Sequence, residues 1–316
     1  MTPTDMKKVL KTIGYTLGGL VILLIIACLL IRFAFKEQVI AYINKQQKKE
    51  YVELLRNATP YTTHTTQYHF VYRQDTLRAK QIRDFFRLDT LLTDSAATTW
   101  EKTLTLAKFV ASNIPHANQT KYPQKSNAID LWKYTREVEP AFNCRLHSIL
   151  LHELLLSENI INRFVTCLPA DTLDTDCHVV NLVWLPEQNK WAKIDSDQQA
   201  WLGTPEGIPL SLEEMRERYI ADAPMVIHPL FGKGQDFNHG YYCSYWAKNL
   251  YWFICWEETG YDKETLPITG RSIILVPPGF TDPNAKKEDI HTTDAKRFWA
   301  APDSEAVLNL SCDDLG

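Results

Sequence analysis

Three residues of the types that thiol chemistry requires follow one another along the chain: Cys144, His178 and Asp195. A nucleophilic cysteine needs thiolate character, a base that shuttles its proton and a third group that orients the base. Cys144 precedes the apolar run RLHSILLHELLL and so opens a predicted helix. Unpaired N–H groups and the helix dipole favour an anion at such a start, and can stabilise an oxyanion. His178 opens the run HVVNLVWL and Asp195 closes WAKID, with PEQNK between them as a turn. Folding the two runs about that turn carries both side chains to the same end of a sheet. Taken singly, each residue has an ordinary explanation as core cysteine, structural histidine or turn aspartate. Their order and spacing argue for a joint role.

The register sets a condition. A five-residue turn leaves His178 and Asp195 out of step by about 10 Å at about 3.3 Å per residue. The sequence therefore predicts a β-bulge, or a tighter turn centred nearer Pro186-Glu187, to bring the pair onto one face.

The elements that must hold these groups are legible in outline. Asp94-Ser95, followed by apolar Trp100, Leu104, Leu106, Phe109, Val110 and Ile114, predicts an amphipathic helix ended by Pro115. The irregular, polar segment from Pro115 to Asn143 reads as a loop lining a groove. Cys144 to Leu156 is apolar on most sides and reads as a buried helix broken by Ser157-Glu158-Asn159. INRFVTC and HVVNLVWL read as strands, the second covered on both faces or nearly so. Helix, strand, strand, turn and strand in that order give an α+β class with the cysteine helix packed on an antiparallel sheet.

NCRLHSILLHELLLSENIINRFVTC and DCHVVNLVWLPEQNKWAKIDSD resemble the core of the transglutaminase-like superfamily, as do the flanking KSNAIDLW, EEMRERYI and AKNLYWFIC. The likeness runs from about Asp84 to Cys255. It implies a papain-type cysteine protease core in which Cys144 is similar to the nucleophile, His178 to the base and Asp195 to the orienting acid. Asn143 replaces the small residue usual before the cysteine, and Asp195-Ser196-Asp197 replaces Asp-Pro-Thr, which makes Asp197 a second candidate acid. Arg163 resembles a family arginine and is expected to be an ion-paired structural residue. Trp132 or Asn127 are candidates for an oxyanion hole. No cofactor and no metal is implied.

His147 and His152 are five apart, not at the i, i+4 spacing that converges on zinc. Cys167 and Cys177 bracket LPADTLDTD, where a disulfide and free cysteines are both open readings. Cys177, beside His178, could also pair with Cys144 and silence it.

The composition suits a globular body with a core: 316 residues, 45% hydrophobic and 23% charged. Against 34 Lys plus Arg stand 38 Asp plus Glu, and no basic stripe interleaved with aromatics points to nucleic acid. Thr12 to Ile31 is uncharged and long enough to span a bilayer as a helix of about 30 Å. The alternatives are a signal peptide and a lipidated Cys28 in IIAC, against which the apolar run continues past the cysteine. The expected layout is a tail at 1–11, a transmembrane helix at 12–35, a stalk helix and linker at 36–66, a transglutaminase-like domain at 67–260 and a C-terminal extension at 261–316. A single-pass signal anchor places the body outside the cytoplasm, although basic residues flank both ends of the span.

The expected activity is acyl transfer from, or hydrolysis of, an amide in a protein or peptide substrate. A papain-like peptidase would separate cysteine and histidine by well over a hundred residues, and here they lie 34 positions apart. A non-catalytic membrane-anchored binding module that keeps the fold is the competing class.

Overall fold

The structure is a computed structural model, and it describes residues 3–62, 68–232, 239–263, 265, 270–303 and 307–310. Cys312 and the expected boundary at 66 and 67 lie outside the described residues. A six-stranded sheet organises the body, in the order Ile290–Thr292, Ser272–Leu275, Trp252–Trp256, Asn162–Leu168, His178–Leu185 and Lys190–Ile194. The first two strands pair in parallel and all the others antiparallel. The class is α+β, and the C-terminal extension supplies the sheet's far edge.

Side-chain alternation explains why HVVNLVWL is apolar throughout. Val179, Val183 and Leu185 point into a layer shared with Leu146, Leu150 and Leu154 of the helix Cys144–Ser157. Val180 and Leu182 point the other way, towards Trp246, Phe253 and Met215. Each such side chain contributes about 1.5–3 kcal/mol on burial. The cysteine helix is buried from Leu146 to Ser157, and Ser148 and Glu153 among its polar members are hydrogen-bonded. Ser148 Oγ donates to Val179 O at 2.8 Å, and the Glu153 carboxylate accepts from the N–H of Ala128 at 2.8 Å and of Asp262 at 2.7 Å. These bonds fix the helix in rotation and height against the sheet.

Several elements depart from the sequence expectation. The amphipathic helix runs Thr99–Asn113, because Thr98 and Glu101 form a capping box; Asp94 instead closes a short turn on the N–H of Ala96. The segment read as a loop contains the helix Ala128–Glu137, capped by Asn127 and burying Ala128, Leu131, Tyr134 and Thr135. The helix Lys36–Asn57, expected as a stalk helix, also buries Val52 and Leu55 in the layer containing Trp246, so its charge covers a narrow docking stripe.

One helix, Pro3–Ala34, includes a stretch, Lys11–Arg32, long and apolar enough to cross a membrane by length and composition, a property a signal sequence would share. Cys28 lies within it and is exposed.

Candidate active site

Asn143 caps the cysteine helix by accepting the N–H of Leu146 at 3.0 Å, which makes Cys144 the first helical residue. Its thiol is half-buried and in hydrogen-bond contact with the His178 ring. The ring's Nε2 lies 2.9 Å from Asp195 Oδ2, so Nδ1 is the nitrogen that faces the sulfur. The structure thus brings Cys144, His178 and Asp195 together at one end of the sheet.

Of the two expected devices the tighter turn is the one present, although it is centred at Glu187-Gln188 rather than at Pro186-Glu187. The ladder pairs Leu185 with Lys190 and runs without a bulge to Asn181 opposite Ile194. The turn therefore holds four residues, Pro186 to Asn189, with Asn189 left-handed at φ 49°. Extending the ladder one step puts Asp195 opposite Val180, two residues from His178. An even offset keeps both side chains on one face, and they meet diagonally. An offset of three, as a five-residue turn gives, would have put them on opposite faces.

Burial pushes against charge on the His178 ring, but the Asp195 carboxylate, its hydrogen bond and the contact with Cys144 raise its pKa well above the ordinary histidine value. Burial likewise opposes ionisation of Asp195, yet His178, Lys193 and the N–H of Gln198 hold its pKa below the usual carboxylate value. The Tyr245 and Trp246 rings stand edge-on to His178, with centroids at 5.4 and 5.3 Å. Attack on a carbonyl requires sulfur as the thiolate and the ring as its proton carrier, and a carboxylate-held ring in contact with the sulfur is placed to take that proton.

No family model matches the chain, and no curated relative matches it by sequence. Among solved structures, a provisionally assigned cysteine protease from Cytophaga hutchinsonii is similar over 51% of this chain and 55% of its own, at 15% identity and a TM-score of 0.31. The chain spans about half the length of that neighbour. So slight a likeness carries neither fold nor chemistry, and both rest on the residues.

Two cavities meet at the thiol and share Asn118, Asn143, Cys144, Asp176 and Cys177. The larger, about 740 Å³, adds Tyr122, Arg145, Val179, Trp256 and Lys286. The smaller, about 370 Å³, adds His116, His178, Asp197, Gln198, Tyr241 and Tyr245. The polar segment after Pro115 therefore does line the cleft, through His116, Asn118 and Tyr122.

Asp197 turns away from His178: its Oδ1 lies 2.8 Å from His116 Nδ1 and 3.5 Å from His147 Nε2. Burial lowers the His147 pKa, so that contact is with a neutral ring rather than an ion pair. His152 bonds Asn162 at 2.7 Å, its pKa is lowered to about 4 by burial, and no metal-holding cluster occurs among the described residues. Trp132 stacks on Phe109, and the Asn127 amide donates to Asp130 and Asp262; neither lines the cavities. Arg163 is structural but not ion-paired among the described residues: it donates to Phe298 O and lies over four aromatic rings. Cys167 and Cys177 are free, and Cys177 lines both cavities beside Cys144.

Sequence reasoning missed Lys193. This wholly buried residue donates to Tyr242 OH at 2.6 Å, and its Nζ lies 3.8 Å from Asp195 Oδ2. Its signal was present: two positions before Asp195 in WAKID, it must share that residue's face.

Proposed function

We propose that the chain is a thiol-dependent acyl-transfer enzyme of transglutaminase-like type, tethered to a membrane by the helix around Lys11–Arg32 with its body outside the cytoplasm. The observation that carries this reading is the thiol at a helix start in hydrogen-bond contact with a ring whose other nitrogen is held by a buried carboxylate. The Cys144 sulfur attacks the carbonyl carbon of an amide, and the S–C bond forms as the C=O π pair moves to oxygen. First-turn N–H groups face the developing charge. Collapse restores the carbonyl and breaks the C–N bond; the proton on His178 goes to the departing nitrogen, leaving a thioester. Water or an amine, deprotonated by His178, then displaces the thiol. Water makes the chain a peptidase or amidase; a lysine-like amine makes it a crosslinker. The substrate class is protein or peptide.

Alkylation by iodoacetamide, followed at Cys144 by peptide mapping, tests the reading. Selective labelling at about pH 6 that falls at least a hundredfold in His178→Ala is expected of an assisted thiolate. Labelling indifferent to His178 would mark a binding module and overturn the proposal.

A further inference from the structure

One turn, closed by bonds from the N–H groups of Gln198 and Ala200 to Asp195, carries two aspartates that each hold a histidine. Asp195 holds His178, and Asp197 holds His116 through a 2.8 Å bond from Nδ1. Both rings line the smaller cavity with Cys144. One base is enough for the thiol, and His178 is the ring in contact with it. A tetrahedral intermediate also puts negative charge on the carbonyl oxygen, where a fixed side-chain donor adds to the N–H groups of the helix start. Trp132 and Asn127, the donors the sequence suggested, line neither cavity.

His116 is both near and fixed. Its backbone bridges to Phe142: the Ala117 N–H donates to Phe142 O at 2.8 Å and the Phe142 N–H to Pro115 O at 3.0 Å. That bridge sets His116 beside the residues that lead into Cys144, and the buried Asp197 carboxylate sets the rotation of its ring. Asn118 also lines the cavity, but among the described residues no hydrogen bond orients its amide. With Nδ1 of His116 taken, Nε2 is the nitrogen left to meet a substrate, and it carries a proton when the ring is an imidazolium. The bond to Asp197 favours that charge most and Asp195 adds to it, while partial burial and His178 oppose it without prevailing. Of the other groups around the ring, His147 is kept neutral by burial, as are Cys177, Tyr241 and Tyr245. Asp176 is engaged by Lys248 Nζ at 2.9 Å and Tyr245 OH at 3.1 Å.

We propose that His116 is a second catalytic histidine, whose Nε2–H hydrogen-bonds the substrate oxygen that becomes negative when Cys144 attacks. This rests on the acyl-transfer reading of Cys144. His178 moves the protons, and His116 holds the oxyanion until the carbonyl is restored, keeping its own proton throughout.

The test uses the whole chain in detergent and two reagents. The sulfur attacks p-nitrophenyl acetate at its carbonyl carbon; the π pair moves to oxygen and returns as p-nitrophenolate leaves, giving the acetyl thioester. It attacks iodoacetamide at the methylene carbon; iodide leaves, and no charge develops on oxygen. Both reactions need the thiolate, so the ratio of acetylation to alkylation at Cys144, followed by peptide mapping, cancels any effect of His116 on the thiol. In His116→Ala that ratio is expected to fall about a hundredfold, with alkylation still well above that of His178→Ala, the sign that the triad is intact. In the native chain the ratio should fall as pH rises through the titration of His116, which its ring proton resonances locate independently. A fall of less than tenfold in an intact His116→Ala, or a native ratio that stays flat across that titration, overturns the assignment. If the variant loses its triad, the native profile alone decides. Alkylation indifferent to His178 in the native background would instead mean that the acyl-transfer reading has failed first.

Discussion

Arg163 and Lys193 flank Leu182 in the same cross-strand row, on the same face of the sheet and equally buried, yet they hold different things in place. The Arg163 guanidinium lies 4.2 to 5.8 Å from the centroids of Phe70, Trp191, Phe298 and Trp299, and its Nη2 donates to Phe298 O at 2.7 Å. Among the described residues its Nε and Nη1 find no hydrogen-bonding oxygen. Lys193 Nζ is 4.1 Å from the Trp246 ring centroid and donates to Tyr242, but it also faces Asp195 at 3.8 Å. Aromatic rings surround both cations. What separates them is a carboxylate: without one, the cation clamps the segment at Phe298 and Trp299 onto the sheet; with one, it joins the electrostatics of the site.

The comparison breaks most visibly in stability. Arg163→Ala should cost about 3–5 kcal/mol, since four rings lose their packing partner and Phe298 O its donor. Urea denaturation of the whole chain measures this, and the pH dependence of Cys144 labelling should not move. A shifted profile would mean that Arg163 also acts on the site.

Lys193→Met keeps the length and removes the charge. Its stability change should be smaller, within about 2 kcal/mol, because an apolar chain suits the ring cage and Asp195 keeps His178. The pH dependence is the sharper readout. Burial lowers the Lys193 pKa to about 8 from an ordinary 10.5. Between those values the unfolded chain binds more protons than the folded one, so this residue makes stability rise with pH. Subtracting the variant's stability curve from that of the native chain should leave a rise across that window; parallel curves would remove Lys193 from the electrostatics of the site. Because Lys193 also helps keep Asp195 ionised, the acid side of the labelling profile should move to higher pH in the variant.

Local pattern carried the cysteine helix, the histidine strand and the pairing of His178 with Asp195, because each has strong hydrophobic periodicity or a turn beside it. The offset was misjudged by one residue: PEQNK does not reveal that Lys190 already pairs with Leu185. The helix Ala128–Glu137 was missed because its apolar positions are interrupted by Asp130, Lys133 and Arg136, and only the Asn127 cap marks it. The aromatic cages of Arg163 and Lys193 were opaque for a different reason. Their partners come from residues 242–246 and 298–299, remote in sequence and brought in only by the tertiary fold.

The smallest effect separates the two aspartates that the sequence left as rivals. Asp195 is buried against His178, whereas Asp197 serves His116, whose side chain is 56% exposed. The hydrogen bond that His116 Nδ1 donates to the Asp197 carboxylate raises the His116 pKa despite partial burial. The stability this contributes is therefore fully present below the ordinary histidine value and fades as pH rises through the folded one. Screening at so open a site limits it to under about 1 kcal/mol. Asp197→Asn should return His116 to titration nearer pH 6.5, visible in its ring proton resonances, and change Cys144 labelling by less than about threefold. Asp195→Asn should slow that labelling at least a hundredfold, because a buried amide neither stabilises the imidazolium nor fixes its orientation. If the two variants exchanged these outcomes, Asp197 would be the orienting acid and the diagonal contact across the four-residue turn would be only structural.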